Sequence, residues 1–227
     1  RDPEALVVVL PSDHYVRDEA AFERSVRRAL AAARQENAVV LVGAVPDSAE
    51  TQYGWIVASK GGDGRERRIR RFLEKPRAER ARWLFSSGAL WNTFVMVGSA
   101  ARFWQLARLH LPAQAQHFDA YIPAVDTRDE QRLLERVYAT LPSADFSTDL
   151  LQRAEDLCVV PLEPCGWSDW GTPERVLLSL RGERDAGVLE AKLAQAQMQA
   201  ARLEAGSFEA AQRGTAIQRL QAAALVG

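Results

Sequence analysis

Cysteine, lysine and long apolar runs are scarce in this chain of 227 residues, and each scarcity argues against a class of protein. Cys158 and Cys165 are the only two cysteines, and their spacing matches neither a metal motif nor a disulfide framework. A reduced, cytoplasmic protein is therefore expected. No apolar run approaches the roughly 20 residues that cross a bilayer, so no membrane role is expected. The formal net charge of −1 gives nucleic-acid binding no support.

Lysine is rare in this chain, so the position of Lys75 is informative. Only three of the 29 Lys and Arg residues are lysine, and one of them, Lys75, lies in the segment FLEKP beside Glu74. A compact ammonium suits a single phosphate oxygen, and the wide fork of arginine does not replace it freely. Taken alone, however, an adjacent acid and base are also typical of a solvated surface pair.

The apolar pattern predicts an α/β domain. Residues 5–10 form a Val-rich run typical of a strand that is buried on both faces. A helix is predicted over residues 18–37, with Asp18 as its N-cap, and a second buried strand over residues 38–45. This order of strand, helix and strand predicts a right-handed parallel crossover.

The rest of the chain continues the alternation of strands and helices. The predicted elements are a hairpin of residues 54–59 and 69–73, a short helix from Pro76 to Trp83, a strand over 89–97, a helix over 99–110, a helix opened by a Thr127–Glu130 capping box, a strand over 157–162 and a helix starting at Thr172-Pro173-Glu174. Composition changes near Gly182, where Ala, Gln, Glu and Arg begin to dominate. We therefore predict a domain of residues 1–182 and a tail of residues 183–227 that is helical or partly disordered.

Two aspartates follow predicted strands at opposite ends of this domain. Asp13 lies in PSDH and Asp169 in GWSDWG. Ligands of α/β proteins bind at strand ends, and two carboxylates that meet there can hold Mg²⁺ against substrate phosphates. Each aspartate taken singly is more often a turn former or a helix cap.

The order of short motifs resembles the sugar-phosphate nucleotidyltransferases, and within them the mannose-1-phosphate guanylyltransferase branch. The motifs, in order, are PSDH, ETQYGWI, FLEKP, SGALWN, FSTDLL and GWSDWGTPE. The resemblance covers roughly residues 5–180. It implies a doubly wound, Rossmann-like α/β sheet that binds a nucleoside triphosphate and a sugar 1-phosphate.

The resemblance also implies roles for individual residues. Asp13 and Asp169 match metal-binding aspartates for Mg²⁺, and Lys75 matches a lysine that contacts the sugar phosphate; these three form the implied catalytic set. Further substrate contacts are implied at Glu74, Asn92 and Gly54, with Glu50 and Tyr53 shaping the same region. The structural alternatives to these functional roles are that Asn92 is a turn residue and that the tryptophans fill the core or its rim.

The implied reaction is transfer of GMP from GTP to mannose 1-phosphate. Two alternatives stay open. One is uridylyl or thymidylyl transfer to glucose 1-phosphate, and the other is a non-catalytic sugar-phosphate-binding or regulatory subunit. A homodimer is also left open.

The sequence departs from the family in one large respect and several small ones. It contains no glycine-rich loop with an Arg and a Lys ahead of the first aspartate, so the sheet is expected to be N-terminally incomplete and the chain alone inactive. The strand of residues 5–10 would then be exposed at a sheet edge. Smaller departures are Gln52, Trp170 and the triplet Thr93-Phe94-Val95, which stands where relatives carry small residues.

Overall fold

A computed structural model describes residues 2–59 and 66–180 of the chain. The chain divides into two compact units, residues 1–169 and residues 170–227. The predicted tail of residues 183–227, the boundary at Gly182 and the glycine-rich hairpin loop at residues 61–64 lie outside the described residues. No helix among the described residues is long and apolar enough to cross a bilayer.

The described residues contain six strands and six α-helices. The strands are β1 (Leu6–Val9), β2 (Val39–Ala44), β3 (Trp55–Ala58), β4 (Arg67–Leu73), β5 (Leu90–Ser99) and β6 (Leu157–Pro161). The α-helices are α1 (Glu19–Glu36), α2 (Ala78–Ser86), α3 (Ala100–His110), α4 (Pro112–Tyr121), α5 (Glu130–Thr140) and α6 (Pro173–Leu180). A 3₁₀ turn at Ile122–Ala124 and a π-helical turn at Phe146–Leu151 complete the series.

The strands form one mixed sheet in the order β1-β5-β2-β6-β4-β3. β2 is antiparallel to β5 and parallel to β6, and it is buried along its whole length. β1 and β2 run in the same direction, because each is antiparallel to β5, which lies between them. The predicted α/β class is therefore confirmed, with a mixed rather than an all-parallel sheet.

β1 corrects one expectation. Its Val-rich sequence predicts burial on both faces, yet it pairs only with β5 among the described strands, and Val7 is 38% exposed. The prediction failed because apolar composition reports strand propensity and partial burial, but not the number of neighbouring strands.

Apolar side chains fill both faces of the sheet. Val40 and Val42 point to the face covered by α1 and α2. Val39 and Leu41 point to the opposite face, where α3 and the π-helical turn pack. Alternation along a strand places successive side chains on opposite faces, so one short run of β2 supplies both cores.

Local signals predicted some helix ends and missed others. The Asp18 side chain accepts a hydrogen bond from the Ala21 amide at 3.0 Å, and Asn37 ends α1 in a left-handed conformation. The predicted Thr127–Glu130 capping box is wrong. The Glu130 carboxylate instead accepts hydrogen bonds from the Tyr121 hydroxyl and the Asp126 amide, both at 2.8 Å.

Candidate functional site

An opening in the edge of β5 creates the candidate site. β1 pairs with residues 96–99 of β5, whereas β3 pairs with residues 90 and 91. β2 pairs along both parts of β5, so β1 and β3 share its other edge and leave residues 92–95 between them. The register of β5 against β2 is irregular at this point. A cavity can therefore open at the carboxyl end of β1, where ligands bind in α/β proteins.

A contact between two loops brings Asp13 and Asp169 to this opening. Tyr15 and Ser168 form an antiparallel bridge, with backbone N–H···O distances of 2.9 and 3.0 Å. The bridge aligns the loop that follows β1 with the loop that follows β6. The two aspartates, far apart in sequence, are thereby held in adjacent loops.

The same two loops make further backbone contacts. The Arg17 and Asp18 amides both donate to the Cys165 carbonyl, at 3.0 and 2.9 Å. Gly166 adopts φ +65°, and a Cβ there would lie 2.9 Å from Cβ of Arg17. Only glycine satisfies both the left-handed backbone and this close approach. Cys165 itself is a buried free thiol whose pKa is raised by burial.

One cavity of about 510 Å³ collects most of the predicted residues. Six of the eight predicted site residues line it: Asp13, Tyr53, Gly54, Glu74, Asn92 and Asp169. They come from the loops after β1, β4 and β6, from the entry to β3 and from the irregular part of β5. The cavity has two distinct sides, which we call the carboxylate wall (Asp13, His14, Trp167 and Asp169) and the sheet-edge wall (Gly54, Glu74, Asn92 and Phe94).

The carboxylate wall is a hydrogen-bonded array. The Tyr53 hydroxyl donates to Oδ1 of Asp169 at 2.5 Å. Nε1 of Trp167 donates to Nδ1 of His14 at 3.3 Å, so a hydrogen bond within the wall orients the His14 ring. Burial lowers the pKa of His14, while the charges of Asp13 and Asp169 oppose this shift. Both carboxylates are therefore electrostatically coupled to the same imidazole.

The sheet-edge wall is built by close packing. Burial raises the pKa of Glu74, opposed by the Lys75 charge and by a hydrogen bond with Ser147. A Cβ on Gly54 would lie 2.7 Å from Oε2 of Glu74 and 2.8 Å from Phe72. Glycine at position 54 is therefore required by the protein's own packing. Asn92 is 8% exposed, and its backbone N–H donates to the Gly54 carbonyl at 2.8 Å.

Two predicted residues lie outside the lining of this cavity. The Glu50 carboxylate accepts hydrogen bonds from the Thr51 and Gln52 amides at 2.7 and 3.1 Å, so it shapes the loop ahead of β3. Lys75 is exposed and adopts φ +41°, which is uncommon for a residue with a side chain. Its charge interacts with Glu74 and with Asp145. Lys75 is therefore close to the sheet-edge wall without forming part of the cavity surface.

The donor set suits a hard cation whose other ligands come from elsewhere. Among residues 2–59 and 66–180, no group of three or more His, Cys, Asp or Glu side chains could hold a metal alone. Asp13 and Asp169 supply oxygen ligands in one cavity. Mg²⁺ is commonly bound by one or two carboxylates together with substrate phosphates and water. The two aspartates fit this pattern.

Nine of the fifteen residues that line the cavity carry no predicted role, and Ser147, Phe94 and Pro11 are among them. Ser147 lies within the motif FSTDLL, which indicated the family but no site residue. Phe94 was noted only as a departure from small residues. Pro11 lies in the first motif and also lines the cavity. Motif membership was the only available signal, because the placement of Ser147 depends on a π-helical turn that the sequence pattern did not predict.

Comparison with known proteins identifies the family to which the chain belongs. The profile of the nucleotidyl transferase family matches residues 1–180. Xanthan biosynthesis protein XanB of Xanthomonas campestris pv. campestris (strain B100) is 36% identical over 171 residues, covering 74% of this chain and 36% of that protein. Mannose-1-phosphate guanylyltransferase of Escherichia coli (strain K12) is 30% identical over 177 residues, covering 75% of this chain and 37% of that protein. The chain thus spans little more than a third of the length of these relatives.

Two solved structures are also similar to this chain. A structure described as mannose-1-phosphate geranyltransferase from Thermus thermophilus matches with a TM-score of 0.69 and 29% identity, over 78% of this chain and 50% of that one. A structure described as mannose-6-phosphate isomerase from Helicobacter pylori matches with a TM-score of 0.62 and 25% identity, over 74% of this chain and 66% of that one. The chain belongs to the nucleotidyl transferase family and resembles the mannose-1-phosphate guanylyltransferases within it.

Proposed function

We propose that the cavity is the sugar-phosphate and metal part of a nucleotidyl transfer site. The reaction would transfer GMP from GTP to mannose 1-phosphate and give GDP-mannose and pyrophosphate. The observation that carries this proposal is that Asp13 and Asp169 line one cavity together with Glu74 and Asn92. The similarity to a mannose-1-phosphate guanylyltransferase supports this choice of sugar and nucleotide.

The chemistry requires positioning and charge neutralisation. An oxygen of the sugar 1-phosphate attacks the α-phosphorus of the nucleoside triphosphate, and the bond from that phosphorus to the pyrophosphate oxygen breaks. Asp13 and Asp169 would hold Mg²⁺, which when bound neutralises phosphate charge. Asp13 is exposed and Asp169 is half-buried, so both carboxylates are open to an incoming phosphate group.

The sheet-edge wall would hold the hexose. An ionised Glu74 would accept hydrogen bonds from sugar hydroxyls, and the side-chain amide of Asn92 would add a polar contact. The Lys75 ammonium, exposed beside this wall, would contact the sugar phosphate. The left-handed backbone at Lys75 is held by its amide, which donates to the Tyr53 carbonyl at 3.2 Å.

A matrix of substrates tests the proposed specificity. GTP, UTP, ATP and dTTP are each combined with mannose 1-phosphate and glucose 1-phosphate, and pyrophosphate release is measured with and without Mg²⁺. In an active form of the protein, we expect GTP with mannose 1-phosphate to give the highest rate, and only with Mg²⁺. A preference for UTP or dTTP with glucose 1-phosphate would replace this specificity with the same-class alternative.

The chain of 227 residues alone is expected to bind the sugar phosphate but to show little or no turnover. None of the residues that line the cavity is a lysine or an arginine, the side chains that bind phosphate groups most strongly. Robust GDP-mannose formation by the purified chain contradicts this expectation. Sugar-phosphate binding without Mg²⁺-dependent turnover, even in a longer form of the protein, indicates the non-catalytic alternative.

A further inference from the structure

Phe94 combines two properties that are seldom found together. It has a large aromatic side chain, and its φ of +59° lies in the left-handed region. A bulky residue in this region is a true conformational outlier, and such outliers persist where the surrounding structure fixes the backbone. Phe94 also lines the cavity between Asn92 and the carboxyl end of β1.

Hydrogen bonds on both sides hold the backbone in this conformation. The Phe94 amide donates to Oδ1 of Asn92 at 3.2 Å. The Thr93 hydroxyl donates to the Val42 carbonyl at 2.7 Å and accepts from the Val95 amide at 3.2 Å. Asn92 and Thr93 therefore form a local clamp around residue 94. The clamp falls in the stretch of β5 that lies between β1 and β3.

The Phe94 ring is fixed by packing and remains partly exposed. It packs against the ring of Phe146 with centroids 6.0 Å apart and planes at 59°. It is half-buried, and together with Val9 it forms an apolar surface inside a cavity that also holds the polar groups of Glu74 and Asn92. Ligand pockets typically combine an apolar wall with a few polar groups that fix orientation.

We propose that Phe94 sets the specificity of the sugar subsite. Its ring covers the C–H face of an unsubstituted hexose 1-phosphate while Glu74 holds the hydroxyls, and its bulk excludes hexose phosphates with a large substituent such as a 2-acetamido group. Burial of apolar C–H surface supplies the attraction, and the clamped backbone supplies the exclusion because the ring cannot retreat. The inference rests on the proposed function, since it assumes that a sugar phosphate occupies this cavity.

Calorimetric titration of the 227-residue chain with mannose 1-phosphate and with 2-acetamido-2-deoxymannose 1-phosphate tests the proposal. The unchanged chain should bind the first at least about tenfold more tightly, as expected for a steric discrimination in a shaped pocket. Phe94→Gly relieves the backbone and removes the ring. It should weaken mannose 1-phosphate binding and reduce the preference to less than about threefold. Phe94→Leu keeps bulk without a ring face, so it should retain most of the preference.

Asp126→Gly is the matched control. Asp126 has a similar left-handed φ of +65° but lies ahead of α5, outside the cavity lining. This variant removes a side chain from the same kind of left-handed backbone and should leave the preference for mannose 1-phosphate unchanged. Thermal unfolding verifies that every variant folds. An unchanged preference in Phe94→Gly, or equal affinity of the unchanged chain for both ligands, overturns the role of Phe94 alone. Failure of the unchanged chain to bind either ligand overturns the proposed function and this inference with it.

Discussion

The two walls of the cavity are held by different means. The carboxylate wall lies on loops that are joined by a few backbone hydrogen bonds, and Asp13 within it is exposed. The sheet-edge wall lies on β5 and at the ends of β3 and β4, and Gly54 and Asn92 within it are buried. Side chains of the carboxylate wall are available to a ligand, whereas those of the sheet-edge wall are constrained by neighbouring side chains of the protein. Substitutions in the carboxylate wall should therefore separate activity from stability, whereas those in the sheet-edge wall should couple them.

The largest effect is expected at Asp169. In an active form of the protein, Asp169→Asn keeps an oxygen that accepts from the Tyr53 hydroxyl but removes the charge that would hold Mg²⁺. We expect kcat to fall by about 10²–10³-fold, in line with loss of a preorganised electrostatic group. The free energy of unfolding should fall by only about 1 kcal/mol, because the hydrogen bond from Tyr53 changes from a charged to a neutral one but is kept. Steady-state kinetics and urea unfolding measure the two quantities.

Asp47→Asn is the control for this change. Asp47 is an exposed aspartate in the loop after β2, where it accepts a hydrogen bond from Ser48 at 2.7 Å. It should leave both kcat and stability unaltered. If Asp169→Asn retains full turnover, the carboxylate wall has no part in the chemistry and the comparison of the walls fails.

The next effect is expected at Glu74, on the other wall. Glu74→Gln removes a charged acceptor for sugar hydroxyls, and hydrogen bonds to charged groups contribute about 1.5–3 kcal/mol. We therefore expect sugar 1-phosphate affinity to fall by about 10–100-fold. Glu79→Gln, the same change at an exposed position on α2, should have no effect on the titration. Equal affinities for both variants would remove Glu74 from the sugar site.

A direct test of coupling is Gly54→Ala. The new methyl group would lie 2.7 Å from Glu74 and 2.8 Å from Phe72, and overpacking of this kind costs about 1–3 kcal/mol. Sugar affinity should fall together with stability, because Glu74 must move. Gly88→Ala provides the contrast, since Gly88 has φ +75° but open space around it. That variant should lose stability through backbone strain alone and keep its sugar affinity, and a loss of affinity there would break the distinction.

The sequence predicted individual elements better than their neighbours in space. α1 was predicted with both of its ends because Asp18 and Asn37 are local signals. α4 was missed because it presents no apolar stripe at helical spacing, and the π-helical turn was missed because its six residues are too few to show a periodic pattern. The position of β1 depends on the number of strands beside it, which no local pattern encodes.

The candidate site shows the same division. Motif order indicated Asp13 and Asp169, but their proximity depends on the bridge between Tyr15 and Ser168, a contact between distant segments. The position of Phe94 in the cavity depends on the irregular register of β5 against β2, which alternation alone would not predict. Resemblance to a family indicated that the two aspartates act together but not that Phe94 lines the cavity, and local patterns predicted the strands and helices that carry them.

The smallest effect is in the pH dependence of stability, where the two walls should have opposite signs. Burial raises the pKa of Glu74 above its ordinary 4.5, so the unfolded chain ionises first and stability falls as pH rises from 4.5 through the folded pKa. Burial lowers the pKa of His14 below 6.5, so the unfolded chain gains its proton first and stability falls as pH drops from 6.5 through the folded pKa. Urea unfolding between pH 4 and 8 should show that Glu74→Gln removes the first trend and His14→Gln the second. If one variant removed both trends, Glu74 and His14 would titrate as a coupled pair, and the two walls could not be treated as independent.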